Sequence, residues 1–358
     1  MEKSVAKYLE IADWLRSNIL DGTFRADEKL ITEYSLCEKF NVSRHTARSA
    51  IAVLEREGLV LRRQGDGTYI NVNTNSAQKN IGVLLTTPNC YIFPLMLSGM
   101  SEVFSSNGHR IILALSQNKV EIERAQLLSL QAANIDGLIV EAVQSSFANP
   151  SLKIYKDLRS QNIPIVFVNT YYPRLDGCNY IVNNDLEGSR LATGYLIDCG
   201  HRKIGGIFKL DSIQGFQRYE GFVNKLYEQN LTLDESRIFW YSDESEDRFF
   251  SSEQFSLVAE AITDCTAILC YSDRIAHKLI KAVSKLNVRI PEDLSIIGFD
   301  NSIISEMSTP SITSISHPGI EMGKLAANSL LKMMKDNNHT IHLAYTPTLT
   351  IRNSVNER

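Results

Sequence analysis

The 358-residue chain has no long apolar run, no paired-cysteine motif and no large charge of either sign. Its most continuous apolar stretches, Ile135 to Val143 and Ile163 to Val168, fall far below the roughly 20 residues a membrane-crossing helix needs, so no helical span is expected. At the N-terminus, Glu2 and Lys3 lead into an amphipathic pattern without an apolar centre or a small-residue cleavage site, so no secretory leader is expected and the anticipated location is cytoplasmic. The six cysteines, at positions 37, 90, 178, 199, 265 and 270, include no CxxC pair and no histidines at zinc spacing. They read as reduced, mostly buried thiols, which argues against a disulfide framework or a metal site. The net charge of −4 looks unsuited to a polyanion partner until it is divided along the chain. Residues 1–70 are neutral, yet Val42 to Arg63 carries five arginines against Glu55 and Glu57. Positive charge is therefore concentrated in one short segment, where phosphate contacts would form.

That segment has a readable local structure. Ser43 is placed to cap a helix, with Val42 before it able to staple against Ala47. Ala47, Ala50, Ile51 and Leu54 then recur at three- and four-residue steps and make one apolar face, leaving Arg44, His45 and Arg48 on another. Gly58 suits the position just past the helix end. Leu59 to Ile70 reads as two short strands joined by Gly65-Asp66-Gly67, where Asp-Gly favours a tight hairpin. Upstream, Tyr8, Ile11, Ala12, Leu15 and Ile19 predict a first helix, and Thr32 predicts the cap of a second, carrying Leu36, Cys37 and Phe40. Three helices followed by a hairpin is the winged-helix order.

Gly22, Leu30, Glu33, Leu36, Phe40, Val42-Ser43-Arg44-His45-Thr46, Arg48, Leu54, Glu57-Gly58-Leu59 and Gly65-Asp66-Gly67-Thr68 resemble the GntR-type winged-helix pattern over residues 5–70. The resemblance implies that Arg44, Thr46 and Arg48, with His45 beside them, contact DNA from the recognition helix. It also implies that Gln64, Gly65, Asp66 and Gly67 form a wing in the minor groove. Two positions depart from the pattern. Tyr34 stands where a basic DNA-contacting residue is usual and retains one hydroxyl for a phosphate. Asp66 occupies a wing tip that more often carries Lys or Arg, and its carboxylate would be repelled by phosphate, so it reads first as a turn former.

Residues 71–79 are polar and aperiodic, which is linker composition. From residue 80, apolar strands alternate with amphipathic helices: strands at 81–85, 110–115, 137–140, 164–168, 203–208, 267–270 and 295–299, and helices at 95–107, 124–133, 186–199 and 216–228. This predicts parallel doubly wound sheets in two lobes with a ligand cleft between them. Asp185 with Gly188, Gly200-His201-Arg202-Lys203-Ile204, Arg218 with Gly221-Phe222, Ser272-Asp273, residues 291–300 ending in Ile296-Ile297-Gly298-Phe299-Asp300, and Thr313-Ser314-Ile315 resemble the LacI-type sensor, itself similar to periplasmic sugar-binding proteins, across residues 80–353. The basic, Leu-Pro-containing hinge helix of that family has no counterpart in 71–79. The expected class is α/β: a winged helix-turn-helix at 1–70, a linker at 71–79, and a two-lobed effector-binding and dimerisation domain at 80–358.

A GntR head on a LacI-type sensor is similar to the arabinose-operon repressors of Gram-positive bacteria, and Tyr91-Ile92-Phe93-Pro94, Ile135 to Glu141, Gly206 to Lys209 with Gln214-Gly215, Ala267 to Tyr271, and His317-Pro318 carry that narrower likeness. A sugar needs paired acceptors, forked donors and an aromatic platform. Asp273 and Asp300, placed at strand ends, offer acceptors; Arg218 offers the fork; Tyr91, Phe93 or Tyr271 offers the platform. The resemblance adds Glu141, Lys209, Gln214 and His317, with Ser272 where Asn is more usual. Plainer readings stand beside these: Phe93 and Tyr271 as core, Glu141 and Lys209 as an inter-lobe salt bridge, His317 as a crossover residue, and Arg218 as a solvated helix charge. The expected function is a non-enzymatic, sugar-responsive repressor, acting as a homodimer on double-stranded operator DNA, with L-arabinose as effector and no cofactor. Another pentose, a hexose or a purine-like metabolite remains open as the ligand. A pyridoxal-phosphate enzyme-like regulator is the remote alternative, without a nucleophile–base constellation or a phosphate-cradling loop to carry it.

Overall fold

The chain is described here from a computed structural model that covers residues 7–20, 23–24, 28–63, 66–71, 78–87 and 91–358. It divides into two units, residues 1–79 and 80–358. Gly22, Gln64, Gly65, Cys90 and most of the 71–79 linker lie outside the described residues.

In the first unit the helical stripe of Ile11, Ala12, Leu15 and Ile19 is buried along α1 (Lys7–Leu20). Helix α2 (Glu33–Phe40) starts at Thr32, whose hydroxyl accepts the Ser35 amide at 3.1 Å, and α3 (Arg44–Arg56) starts at Ser43, which accepts the Thr46 amide at 3.2 Å. Each cap satisfies a backbone N–H that the first turn leaves without a helical partner. Gly58, at φ +73°, turns the chain out of α3 in a conformation that favours glycine. Strands β1 (Val60–Arg63) and β2 (Gly67–Ile70) then pair antiparallel, Val60 opposite Ile70 and Arg63 opposite Gly67. The sequence pattern did not reveal a third edge. Leu30 donates to the Thr68 carbonyl and Ile70 to the Glu28 carbonyl, both at 2.8 Å, so residues 28–30 brace the wing.

The second unit opens with β3 (Asn80–Leu85), α4 (Ile92–Ser106), β4 (Arg110–Leu115), α5 (Val120–Ala132), β5 (Gly137–Val140), α6 (Leu152–Ser160), β6 (Ile165–Val168) and β7 (Asn179–Asn183). These build the first lobe. The second lobe follows as α7 (Asp185–Asp198), β8 (Ile204–Lys209), α8 (Ile213–Glu228), β9 (Ile238–Tyr241), α9 (Glu246–Phe249), α10 (Ser252–Thr263), β10 (Ala267–Cys270), α11 (Asp273–Ser284), β11 (Ser295–Asp300), α12 (Ile303–Met307) and β12 (Thr313–Ser316). The chain then returns to the first lobe as α13 (Gly319–Met333), which packs on α4, and β13 (His342–Tyr345), which pairs with β7. It ends in the second lobe with β14 (Leu349–Thr350), antiparallel to β12. The strand–helix alternation did not anticipate this return, nor α6, β7, β9, α9 to α12 and β12.

The sheets run β13-β7-β6-β5-β3-β4 and β14-β12-β11-β10-β8-β9. Every pairing except β12 with β14 is parallel, and β5, β6 and β10 are buried at every residue, as strands covered on both faces must be. Three crossings join the lobes, at 183–185, 316–319 and 345–349, all beside the β7/β13 and β12/β14 edges. Strands β4 and β9 stand at the opposite edges. Loops after the carboxyl ends of the strands face one another, which is where open α/β sheets bind ligands.

Candidate functional site

Strand ends of both lobes converge on a cavity of about 120 Å³, lined from the first lobe by Thr86, Tyr91, Asn118, Glu141 and Asn169 and from the second by Lys209, Asp211, Gln214, Arg218, Tyr271, Ser272 and Asp300. Its floor is Arg218. This residue lies on the inner face of α8 and is only 2% exposed. The guanidinium is held between two rings, 4.4 Å from the centre of Tyr271 and 4.1 Å from that of Phe299, which is cation–π geometry. Its Nε and Nη2 both lie 2.7 Å from Asp185 Oδ1, and Nη1 donates to the Tyr271 carbonyl. These bonds engage three of the five guanidinium N–H groups and leave one on each terminal nitrogen. Burial opposes the charge, but Asp185, Tyr271 and Asp300 outweigh it and hold the Arg218 pKa above its ordinary value. Burial likewise pushes Asp185 and Asp300 up, with Arg218 pulling both back.

Asp300 ends β11 at φ +99°, a backbone conformation that side-chain-bearing residues rarely adopt, and Asn301 follows at φ +47°. The strain is locked by surrounding bonds: Asn301 N donates to Ser314 Oγ at 2.9 Å, and Arg352 donates to Asn301 Oδ1 at 2.7 Å. Across the cleft, the Tyr91 hydroxyl donates to Asp300 Oδ2 at 2.5 Å. Glu141 accepts from the Thr86 hydroxyl and the Asn169 amide, each at 2.6 Å, and Asn169 Oδ1 in turn accepts from Gln214 Nε2 at 3.2 Å. Lys209 pairs with Asp243 at 2.6 Å within its own lobe. Burial works against its charge, yet Tyr271, Asp243 and Asp211 raise its pKa overall. The inter-lobe Glu141–Lys209 salt bridge is therefore replaced by two separate networks.

Eight of the eleven residues expected to hold an effector line this cavity: Tyr91, Glu141, Lys209, Gln214, Arg218, Tyr271, Ser272 and Asp300. Three do not. Phe93 is the second residue of α4 and packs into the first-lobe core with Val83 and Met96. Asp273 begins α11 just after its cap, Ser272, and so turns beneath β11 instead of ending a strand. There it accepts from the Ser302 amide and hydroxyl and the Ser314 hydroxyl, against Gly298, where a Cβ would stand 2.3 Å from its Oδ1. Burial and repulsion from Asp300 push it up to about 7. His317 sits one layer back on the second crossing, its Nε2 at 3.2 Å from Asn169 Oδ1. Since an amide oxygen only accepts, Nε2 carries the proton. The buried Nδ1 has no partner among the described residues, and burial together with Arg218 pushes the imidazole pKa down to about 3.

The first unit presents a basic face. Arg44, His45 and Arg48 are exposed on α3, and Tyr34 is 60% exposed on α2. Thr46 is half-buried, its hydroxyl 3.0 Å from that of Ser43. Arg48 forks onto Glu33, Nε and Nη2 each at 3.0 Å, and this fork holds the Glu33 carboxyl below its usual range. At the wing, Asp66 accepts from the Tyr69 hydroxyl at 2.8 Å and lies 3.5 Å from Lys29. Arg63 stacks over the Tyr69 ring at 4.3 Å. The Asp66 charge is thus balanced within the wing, and Lys29, Arg62 and Arg63 supply the cations that the motif alone did not single out.

Comparison with known proteins agrees with both halves. The family of bacterial regulatory proteins of the gntR type matches residues 7–70, and a periplasmic binding protein-like domain matches residues 193–355. An arabinose metabolism transcriptional repressor of Halalkalibacterium halodurans is 33% identical over 98% of this chain and 97% of its own length. Another, of Geobacillus stearothermophilus, is 32% identical over 99% of each. The chain belongs to this family of GntR-headed, LacI-type transcriptional repressors. A solved structure of the regulator CelR with cellobiose covers 99% of this repressor and 100% of its own chain at a TM-score of 0.69; at 18% identity it speaks to the fold alone. The repressor is a transcriptional regulator and not an enzyme, as its relatives are.

In the repressor, the cleft residues that motif reading missed include Thr86, Asn118, Asn169, Asp211 and Asp243. Each is a common polar residue in a loop following a strand, a signal too weak to stand out until the fold gathers the loops.

Proposed function

We propose that the repressor holds sugar-utilisation genes silent, those for L-arabinose first, by binding a near-palindromic operator as a cytoplasmic homodimer through α3 and the wing, and lets go when a pentose occupies the cleft. The observation that carries this reading is the buried Arg218, fixed by Asp185 and two aromatic rings, facing Asp300 and Tyr91 inside a polar cavity. Such a ring offers forked donors, carboxylate acceptors and an aromatic face within the reach of one small polyhydroxylated molecule. The names of the two full-length relatives favour L-arabinose over other sugars. On the head, exposed Arg44 and Arg48 with Thr46 read the major groove, and Lys29, Arg62 and Arg63 add phosphate contacts. A complete switch requires the effector to favour the released conformation by on the order of 5 kcal/mol. Calorimetric titration with a panel of pentoses, L-arabinose first, tests the reading: saturable heat with L-arabinose that disappears in Asp300→Ala supports it, and no heat with any pentose removes it.

A further inference from the structure

We propose that Glu123 is a positioning residue for closure of the cleft, holding the segment 142–149 as a preset clasp that the first lobe extends to the second. Glu123 lies in the first turn of α5 with no exposed surface. Its Oε1 accepts from the hydroxyls of Tyr155 and Tyr172, and Oε2 from the Asn149 amide, all at 2.6 Å. A buried carboxylate with three donors and, among the described residues, no cation is an expensive arrangement. What it organises is the loop between β5 and α6. Tyr172, its proton directed at Glu123, accepts the Val143 amide at 2.7 Å, which fixes one end of the loop. Asn149, its amide nitrogen directed at Glu123, accepts the Ser151 amide at 2.7 Å, which fixes the other.

Between those anchors stand the atoms that grip the second lobe. Ser145 Oγ accepts the Ile213 amide at 3.0 Å and Ser146 Oγ donates to the Leu210 carbonyl at 2.8 Å. The Gln144 amide donates to Asn118 Oδ1 at 2.9 Å, aiming the Asn118 amide at Asp211, 3.1 Å away, and at Asp243. Asn118 follows β4 and Asp243 follows β9, the edges farthest from the three crossings, so these contacts exist only when the lobes are together. Glu123 touches none of the second lobe and acts through the loop.

The proposal rests on reading the cavity as a cleft that opens and closes, but its test needs no effector. Ile213 is the first residue of α8, so its amide has no partner in its own helix, and its protection reports the clasp. Hydrogen exchange on the free, full-length repressor should show the Ile213 and Gln144 amides exchanging at least about tenfold faster in Glu123→Gln, whose single amide oxygen cannot accept from the two tyrosine hydroxyls on one side and from Asn149 on the other at once. Amides of β10 should keep their rates. Tyr172→Phe, which keeps the ring and removes only the hydroxyl, should reproduce the effect at Ile213 if Glu123→Gln does not fold. Adding Asn149→Asp to Glu123→Gln reverses donor and acceptor at that contact and should restore protection. Unchanged exchange at Ile213 in Glu123→Gln and Tyr172→Phe, or acceleration spread evenly over both lobes, overturns the proposal. If the wild type shows the clasp but takes up no pentose, the functional reading fails and this inference stands.

Discussion

Tyr91 of the first lobe donates its hydroxyl to Asp300 of the second at 2.5 Å, a bond that exists only while the lobes face each other closely. Asp300 is also 3.9 Å from Arg218, so the bond links the first lobe to the buried guanidinium of the second. Tyr91→Phe removes a hydrogen bond to a charged acceptor, a loss of about 1.5–3 kcal/mol. Effector affinity should fall by roughly tenfold or more, while operator affinity of the free protein stays at the wild-type value. Calorimetry and operator-binding anisotropy on the same variant check both halves.

Arg218 cannot be treated as a simple ligand contact. Because Asp185 is 3% exposed and has Arg218 as its ion-pair partner, Arg218→Ala strands a buried carboxylate and should destabilise the second unit by about 3–5 kcal/mol. Urea unfolding should show the loss directly. Arg218→Ala with Asp185→Asn should recover part of it, because residue 185 then carries no charge that lacks a partner, and effector binding should remain absent.

His317 gives the fold a defined acid sensitivity. Above pH 6.5 neither the folded nor the unfolded chain binds a proton there. As the pH falls below 6.5 the unfolded chain takes up a proton that the folded chain refuses until about 3. Stability is therefore lost on acidification through that window, by up to about 1.4 kcal/mol per pH unit. Asp273, pushed up to about 7, acts in the opposite sense: its contribution is present at low pH and lost as pH rises from 3.8 towards 7. The difference in slope between wild type and His317→Gln isolates the histidine. The variant should lose less stability between pH 6 and 4, and parallel curves would show that His317 is not held neutral.

Much of this was legible in the sequence. Ser43, Thr32 and Gly58 mark helix boundaries because caps and left-handed turns are local chemistry, and the apolar runs at 137–140 and 267–270 mark central strands because both their faces are covered. The placement of Asp273 was not legible. Whether a residue after a strand faces the cleft or turns beneath the next strand depends on Gly298 and Ser314, residues 25 and 41 positions away. The return of α13 and β13 to the first lobe was hidden for the same reason: a crossing has no composition of its own. Phe93 was ambiguous because one residue's rotation on α4 decides between core and cleft.

The wing carries its own test. Asp66 offsets Lys29 at 3.5 Å and is held below the usual carboxylate range, first by the Tyr69 hydroxyl. Asp66→Asn removes an anion from the wing and leaves Lys29 without its carboxylate partner, so on the proposed reading operator affinity should rise, most clearly at low salt. Arg48→Ala should act the other way, abolishing operator binding while effector affinity is unchanged. Anisotropy titrations over a salt series separate the two, and a weaker complex with Asp66→Asn would assign the carboxylate a direct role in the turn or at a base edge.

Coupling between cleft and head is read by titrating L-arabinose into the repressor bound to fluorescent operator DNA. Anisotropy should fall to that of free DNA, half complete near the sugar concentration that half-saturates the protein after allowance for bound DNA. Anisotropy that stays at the bound value while calorimetry shows the sugar seated would mean that cleft and head are uncoupled.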